Sequence, residues 1–215
     1  MAKAQKAKGP KNLPQDGGKP REAILSAALK AFARDGYDGA SMPKIAKMAQ
    51  VAPTLIHYYF GSKENLWRET VDYSLGELRR ESVALQKATR SLAPLDRLRA
   101  LLEAHSHFAA QWPDHFAMIV AEARADSDRF AWIQENYTGI LFGEVVGILE
   151  EARECGAIEP VNTEQAAFML IGSILLYFTV RPKPFEGQNL EKFSGEFTDL
   201  IFRTFLHGLA IRPAG

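Results

Sequence analysis

The chain has 215 residues, 47% hydrophobic and 24% charged, the proportions of an ordinary globular protein large enough for a sizeable core. Its single cysteine, Cys155, excludes an intramolecular disulfide and a cysteine-based zinc cluster; no stretch approaches the roughly 20 apolar residues of a membrane span, and the lysine-rich start lacks the apolar segment of a signal peptide, so a cytoplasmic chain with no membrane partner is expected. The zero net charge conceals a split: residues 1–65 hold 11 Lys and Arg against 5 Asp and Glu, a net of +6, and residues 66–215 hold 15 against 21, a net of −6, which suits attraction of one end to phosphate and equally suits a basic tail with no partner.

Residues 1–20 are rich in Lys, Gly, Pro and Gln with almost no large apolar side chains, the composition of a disordered basic tail. From Arg21 the pattern changes, and Ile24, Leu25, Ala28, Leu29 and Phe32 recur every three or four residues as the apolar face of a helix that stops at Asp35-Gly36. Ser41 is an N-cap for a second helix, with Pro43 in its first turn and Ile45, Met48 and Ala49 on its apolar stripe. Gln50-Val51-Ala52 connects it to a third, shorter helix, Pro53 to Tyr59, and Gly61-Ser62 breaks the pattern and caps a much longer fourth helix from Lys63. Helices so short do not persist alone in water, so they must share a core with the first; two short helices joined by a tight turn against a longer one form a helix-turn-helix or a generic three-helix bundle. The third helix favours the former. Ile56 and Phe60 can turn to the core, while Pro53, Thr54, His57 and Tyr58 project outward, side chains suited to base edges, thymine methyls and phosphates.

The run AILSAALKAFARDGYDGASMPKIAKMAQVAPTLIHYYFGSKENLW, residues 23–67, resembles the DNA-binding pattern of the tetracycline-repressor (TetR) family of bacterial transcriptional regulators. The likeness is carried by Phe32 and Gly36, Ile45-Ala46, Val51, Tyr58-Tyr59-Phe60, and Ser62-Lys63-Glu64 with Leu66. Two positions depart from that pattern: Gln50 stands where the family usually has glycine, and Ala52 where it usually has a serine or threonine cap. The resemblance implies that Pro53, Thr54, Leu55 and His57 face the major groove, and that Tyr58, Tyr59 and Lys63 meet the sugar-phosphate backbone. Lys63 would be aided by the positive end of the fourth helix. Ser41 and Lys44 would contact backbone on the flanking strand, with Lys19 and Arg21 adding minor-groove or phosphate contacts; a plain cap for Ser41 and a solvated lysine for Lys44 remain open.

Beyond Leu66 the composition stays helical, with breaks at Ser91–Pro94, Trp112-Pro113, Gly156–Thr163 and Arg181–Asn189 and no alternating strand pattern, so the whole chain is expected to be all-α with about nine helices. The expected division is a tail 1–20, a helix-turn-helix domain 21–66 and a ligand-sensing and dimerisation domain 67–215. Residues 164–180 are apolar on nearly every side, and Phe193, Phe197, Leu200, Ile201, Phe205 and Leu209 make a second apolar set. By the resemblance these helices pair with their copies, giving a homodimer whose interface includes Phe168, Ile171, Leu175, Phe197, Ile201 and Phe205. Its recognition helices would then lie about 34 Å apart on a palindromic operator in double-stranded DNA. His105, His107, Phe108, Trp112, Phe116, Met118, Glu122, Trp132, Tyr137, Tyr177 and Phe178 are candidates for a pocket holding a small-molecule effector, and each suits core packing as well. His105 and His107, two apart, fall on nearly opposite helix faces, which argues against a metal pair. No phosphate loop, nucleophile elbow or metalloprotease motif occurs, so no cofactor, metal or catalytic residue is expected. The resulting expectation is a dimeric repressor released from its operator by a small molecule. An all-α enzyme or carrier and a sequence-tolerant architectural DNA-binding protein are the rival readings.

Overall fold

A computed structural model describes residues 19–125, 127–180 and 190–209. Residues 1–18 of the basic tail and the expected break at Arg181–Asn189 lie outside the described residues. The described part is 87% helical and contains no strand. In chain order the helices are α1 (Lys19–Gly39), α2 (Met42–Met48), α3 (Pro53–Phe60), α4 (Lys63–Thr89), α5 (Pro94–Gln111), α6 (Pro113–Ala125), α7 (Asp128–Ile133), a π turn (Gln134–Thr138), α8 (Gly139–Glu154), α9 (Thr163–Val180) and α10 (Leu190–Leu209). Because α7, the π turn and α8 run on without a gap, these form nine separate rods, as the sequence led one to expect.

The first three helices close on one small core. Ile24, Leu25, Ala28 and Phe32 of α1 bury their side chains against Ile45 and Ala46 of α2 and Ile56 and Phe60 of α3. Gly36 ends the regular part of α1: its φ of 69° and ψ of 177° turn the chain so that Tyr37 folds back onto Phe32, the rings stacked 6.0 Å apart. Ser41 caps α2 by accepting from the Lys44 N–H, and Ser62 caps α4 by accepting from the Asn65 N–H at 3.1 Å.

Two connections tie this unit to the rest. One is α4 itself, 27 residues long. The other was not legible in the sequence: α1 lies along α6, so the first helix of the small unit packs directly on a helix of the body. The remaining helices form a bundle in which α5 packs against α4, α8 and α10, and α9 lies against α5, α6 and α8.

Candidate functional site

Two places in the fold gather the side chains that the sequence singled out. The first is the outward face of α2 and α3. Ile56 and Phe60 anchor α3, leaving Pro53, Thr54, His57 and Tyr58 exposed and Leu55 and Tyr59 half-buried. This is the division expected from the four-residue spacing. Tyr58 is 65% exposed and meets Tyr59 edge to face at 5.3 Å, so a large aromatic with a hydroxyl stands out from the surface. His57 is held only by a 3.4 Å contact between Nδ1 and the Gly61 carbonyl.

The turn between α2 and α3 explains one departure from the family pattern. Gln50 has φ of 58°, the left-handed region that glycine enters freely and other residues enter at a cost. At the other departure, Ala52 offers no side-chain cap, and α3 starts instead on Pro53, whose missing N–H needs no partner, with the Leu55 N–H donating to the Ala52 carbonyl at 2.9 Å.

The cations expected at phosphate are differently placed. Lys63 reaches back toward the small unit, its Nζ 4.5 Å from the centre of the Tyr37 ring and 3.4 Å from the Asp38 carbonyl oxygen, close to the start of α4. Lys44 donates to Asp35 at 2.9 Å. The same carboxylate accepts from Arg34, and these two hydrogen bonds, Arg34 first, hold the Asp35 carboxyl well below the usual carboxylate range. Lys44 therefore carries its own counter-ion and must leave or share it to meet a phosphate. Arg21 pairs with Glu69 of α4 and lies 5.7 Å from the Phe60 ring, so it braces α1 on α4.

The second place is a cavity of about 340 Å³ in the body, reaching the surface beside the exposed Phe168. Its walls are Leu75 and Leu78 from α4, His105 from α5, Phe116 and Ile119 from α6, Phe130 from α7, Gln134 and Thr138 from the π turn, Gly139, Leu141 and Phe142 from α8, and Phe168, Ile171, Gly172, Ile174 and Leu175 from α9. Of the pocket residues proposed from sequence, His105 and Phe116 line it. The others are occupied elsewhere. Met118 and Phe108 fill the core, Phe108 meeting Phe116 at 6.3 Å, and Trp112 sits at the α5–α6 corner against His115. Glu122 is buried and accepts from Ser127 at 2.7 Å and from Arg129 at 3.0 Å. Trp132 packs on Trp67 at 5.7 Å, Tyr137 donates to Asp72 at 2.8 Å, and Tyr177 lies 4.5 Å from the Phe197 ring. Aromatic content does not distinguish a core position from a cavity wall; the approach of α9 to α4 and α6 decides it.

The π turn is the structural irregularity of this cavity. The Gly139 N–H donates to the Gln134 carbonyl, five residues back, and a Cβ on Gly139 would lie 2.6 Å from that oxygen, so glycine is what the turn admits. One side of the turn borders the cavity. The other grips α4: the Tyr137 hydroxyl donates to Asp72, and Arg79 donates to the Asn136 carbonyl at 3.3 Å. Just before it, Arg129 stacks 3.8 Å over Tyr37, a residue of the small N-terminal unit, while paired to Glu122.

The residues proposed for a dimer interface divide. Phe168 is 72% exposed, and α9 also exposes Met169 and Leu176, with Leu200 exposed on α10. Ile171 and Leu175 are half-buried and border the cavity, and Phe197 and Phe205 are half-buried. Ile201 is 5% exposed within the single chain, so most of its side chain packs in this chain's own core. Among the described residues no helix is long and apolar enough to cross a membrane, and no group of three or more His, Cys, Asp or Glu gathers as for a metal ion.

Comparison with known proteins bears on the first site. The family described as "Bacterial regulatory proteins, tetR family" matches residues 24–70. The HTH-type transcriptional regulator BetI of Rhizobium meliloti is 40% identical over 92 residues, 42% of this chain and 44% of that protein. BetI of Agrobacterium fabrum is 26% identical over 213 residues, 94% of this chain and 98% of that protein. Among solved structures, a TetR-like transcriptional regulator from Rhodococcus sp. RHA1 superposes with a TM-score of 0.68 at 21% identity, covering 92% of this chain and 98% of that one.

Proposed function

We propose that this chain, whose residues 24–70 match the tetR family of bacterial regulatory proteins and which is similar over nearly its whole length to HTH-type transcriptional regulators, is a homodimeric repressor that holds a palindromic operator and releases it when a small molecule fills the body cavity. Residues 21–66 act as the reader and 67–215 as the sensor, with α4 passing between them. The observation that carries the reading is the exposed, anchored face of α3, where Pro53, Thr54, His57 and Tyr58 stand clear of the core. In this reading Thr54, Leu55 and His57 read bases. Tyr58, Tyr59, Lys63 and Ser41 engage the backbone, and Lys44 joins them once it leaves Asp35. The work is binding alone; no catalytic chemistry is assigned, and the site of action is the cytoplasm, where the DNA is.

Release follows two mechanical routes. A ligand that parts the cavity walls displaces α4 through Leu75 and Leu78, and displaces α6, on which α1 lies, through Phe116 and Ile119. Both motions tilt the reader. In a dimer they alter the separation of two recognition helices that must match one DNA turn, about 34 Å. The ligand shifts this equilibrium only as far as it binds the released conformation more tightly. Two copies would meet through the apolar face that Phe168, Met169 and Leu176 present on α9, a surface too apolar to be left in water without a partner.

Selection of bound sequences from random duplex DNA, followed by affinity measurements at several salt concentrations, tests this. A palindromic motif bound far more tightly than random DNA supports the regulator. Weak, salt-sensitive binding with no motif would replace it with an architectural DNA-binding protein, and no binding at all would overturn it.

A further inference from the structure

The wall chemistry of the body cavity, taken as the effector site on the reading above, narrows what the effector is. Leu75, Phe116, Phe142 and Ile174 make most of it hydrocarbon, and no Asp, Glu, Lys or Arg is among its lining residues. An ionised group moved into such a place loses its water and gains no counter-charge. Phenyl faces compensate a cation only in part. The polar exception is His105, which is 7% exposed and whose Nε2 has no hydrogen-bond partner. Burial pushes its pKa down to about 4, so at neutral pH the ring is uncharged and cannot balance an anion. A neutral imidazole has one donor and one acceptor nitrogen, and a buried one left unpaired is stabilised by whatever meets it. Thr138 and Gln134, on the π turn, also border the cavity.

We propose that the effector is an uncharged, mostly hydrocarbon molecule bearing one hydrogen-bonding group, such as an alcohol or ketone, with that group set against His105. The cavity, at about 340 Å³, lies at the small end of ligand sites, so one compact or single-chain molecule fills it.

Three probes of one chain length separate the chemistries: decanol, decanoate and decyltrimethylammonium, titrated calorimetrically into the full chain at neutral pH and below their aggregation limits. Decanol is expected to saturate one site per chain and to bind at least tenfold more tightly than either ion. His105→Leu should weaken decanol about tenfold, the effect of one hydrogen bond. Gly172→Leu, whose new Cβ would have no atom within 4 Å, should fold normally and fill the space, abolishing binding. Equal or tighter binding of either ion overturns the proposal, as does decanol binding that ignores Gly172→Leu or no saturable binding of decanol. Operator affinity measured on the same unliganded preparation keeps the two claims apart. Operator bound and decanol unbound refutes the ligand class and leaves the regulator, whereas decanol bound and no DNA bound does the reverse.

Discussion

Alanine at Gly139 and alanine at Gly143 are the same substitution four residues apart on α8, and they should change stability in opposite directions. At Gly139 the added Cβ would stand 2.6 Å from the Gln134 carbonyl oxygen, well inside contact distance. That oxygen is backbone and is already accepting the Gly139 N–H, so the strain cannot be relieved by turning a side chain; the π turn must open or shift. Overpacking of this kind costs about 1–3 kcal/mol. Gly143 has nothing within 4 Å of its Cβ position, and replacing a helical glycine with alanine there stabilises by roughly 0.5–1 kcal/mol. The difference between the two variants should be about 1.5–4 kcal/mol by those figures, and urea unfolding followed by circular dichroism resolves it easily. Gly139→Ala should also weaken the effect of any ligand on DNA affinity, since the Tyr137–Asp72 and Arg79–Asn136 links leave from the same turn. If Gly139→Ala is as stable as Gly143→Ala, the argument from the π turn fails.

Gln50→Gly should stabilise by about 1 kcal/mol, because relief of a left-handed residue (roughly 1–2 kcal/mol) exceeds the added freedom of glycine in the unfolded chain; a thermal midpoint unchanged or lowered would refute it. Acid should weaken the fold through His105 and His115, whose pKa values burial lowers from 6.5 to about 4 and about 3. The unfolded chain takes up protons first, so stability is complete above about pH 6.5 and falls below it, by up to about 1.4 kcal/mol per pH unit for each histidine. Unfolding free energies at a series of pH values check this, and His115→Phe should flatten the slope. Lys63→Ala should weaken binding to every DNA sequence and shallow the salt dependence, while Thr54→Ala and His57→Ala should alter base preference. Equal losses on operator and random DNA for the latter two would remove them from base readout.

The N-terminal third of the fold could be read ahead of the structure because its signals are local. Phe32, Ile45, Ile56 and Phe60 keep helical spacing, Ser41 and Ser62 are caps, and Gly36 and Gly61 take the positive φ that ends their helices. Glycine's usual place in the turn was visible as a departure at Gln50, and the angle found there supplies the reason. The body was less legible. Its breaks at Trp112-Pro113 and Gly156–Thr163 are chemical punctuation and fall where helices end. Which aromatics line the cavity depends on how distant helices approach, and neither Phe116 nor Phe142 differs locally from Phe108. The outward face of α9 was hidden for a related reason, since a helix apolar on all sides does not declare which side its own chain covers. The π turn has no marker in the sequence beyond one glycine among several.

The aromatic junction has a practical consequence for observing the protein at work. Only three tryptophans occur, and two of them, Trp67 and Trp132, lie 5.7 Å apart where α4 meets α7. Arg68 is positioned over Trp132 at 5.1 Å and Arg129 near Trp67 at 6.0 Å. Trp112, the third, is partly in solvent at the α5–α6 corner, away from this pair. A Trp112→Phe chain would therefore have tryptophan emission solely from the place where α4 meets α7. Its emission maximum and quantum yield would follow any change in spacing there in real time, giving an optical gauge of switching that needs neither a label nor DNA.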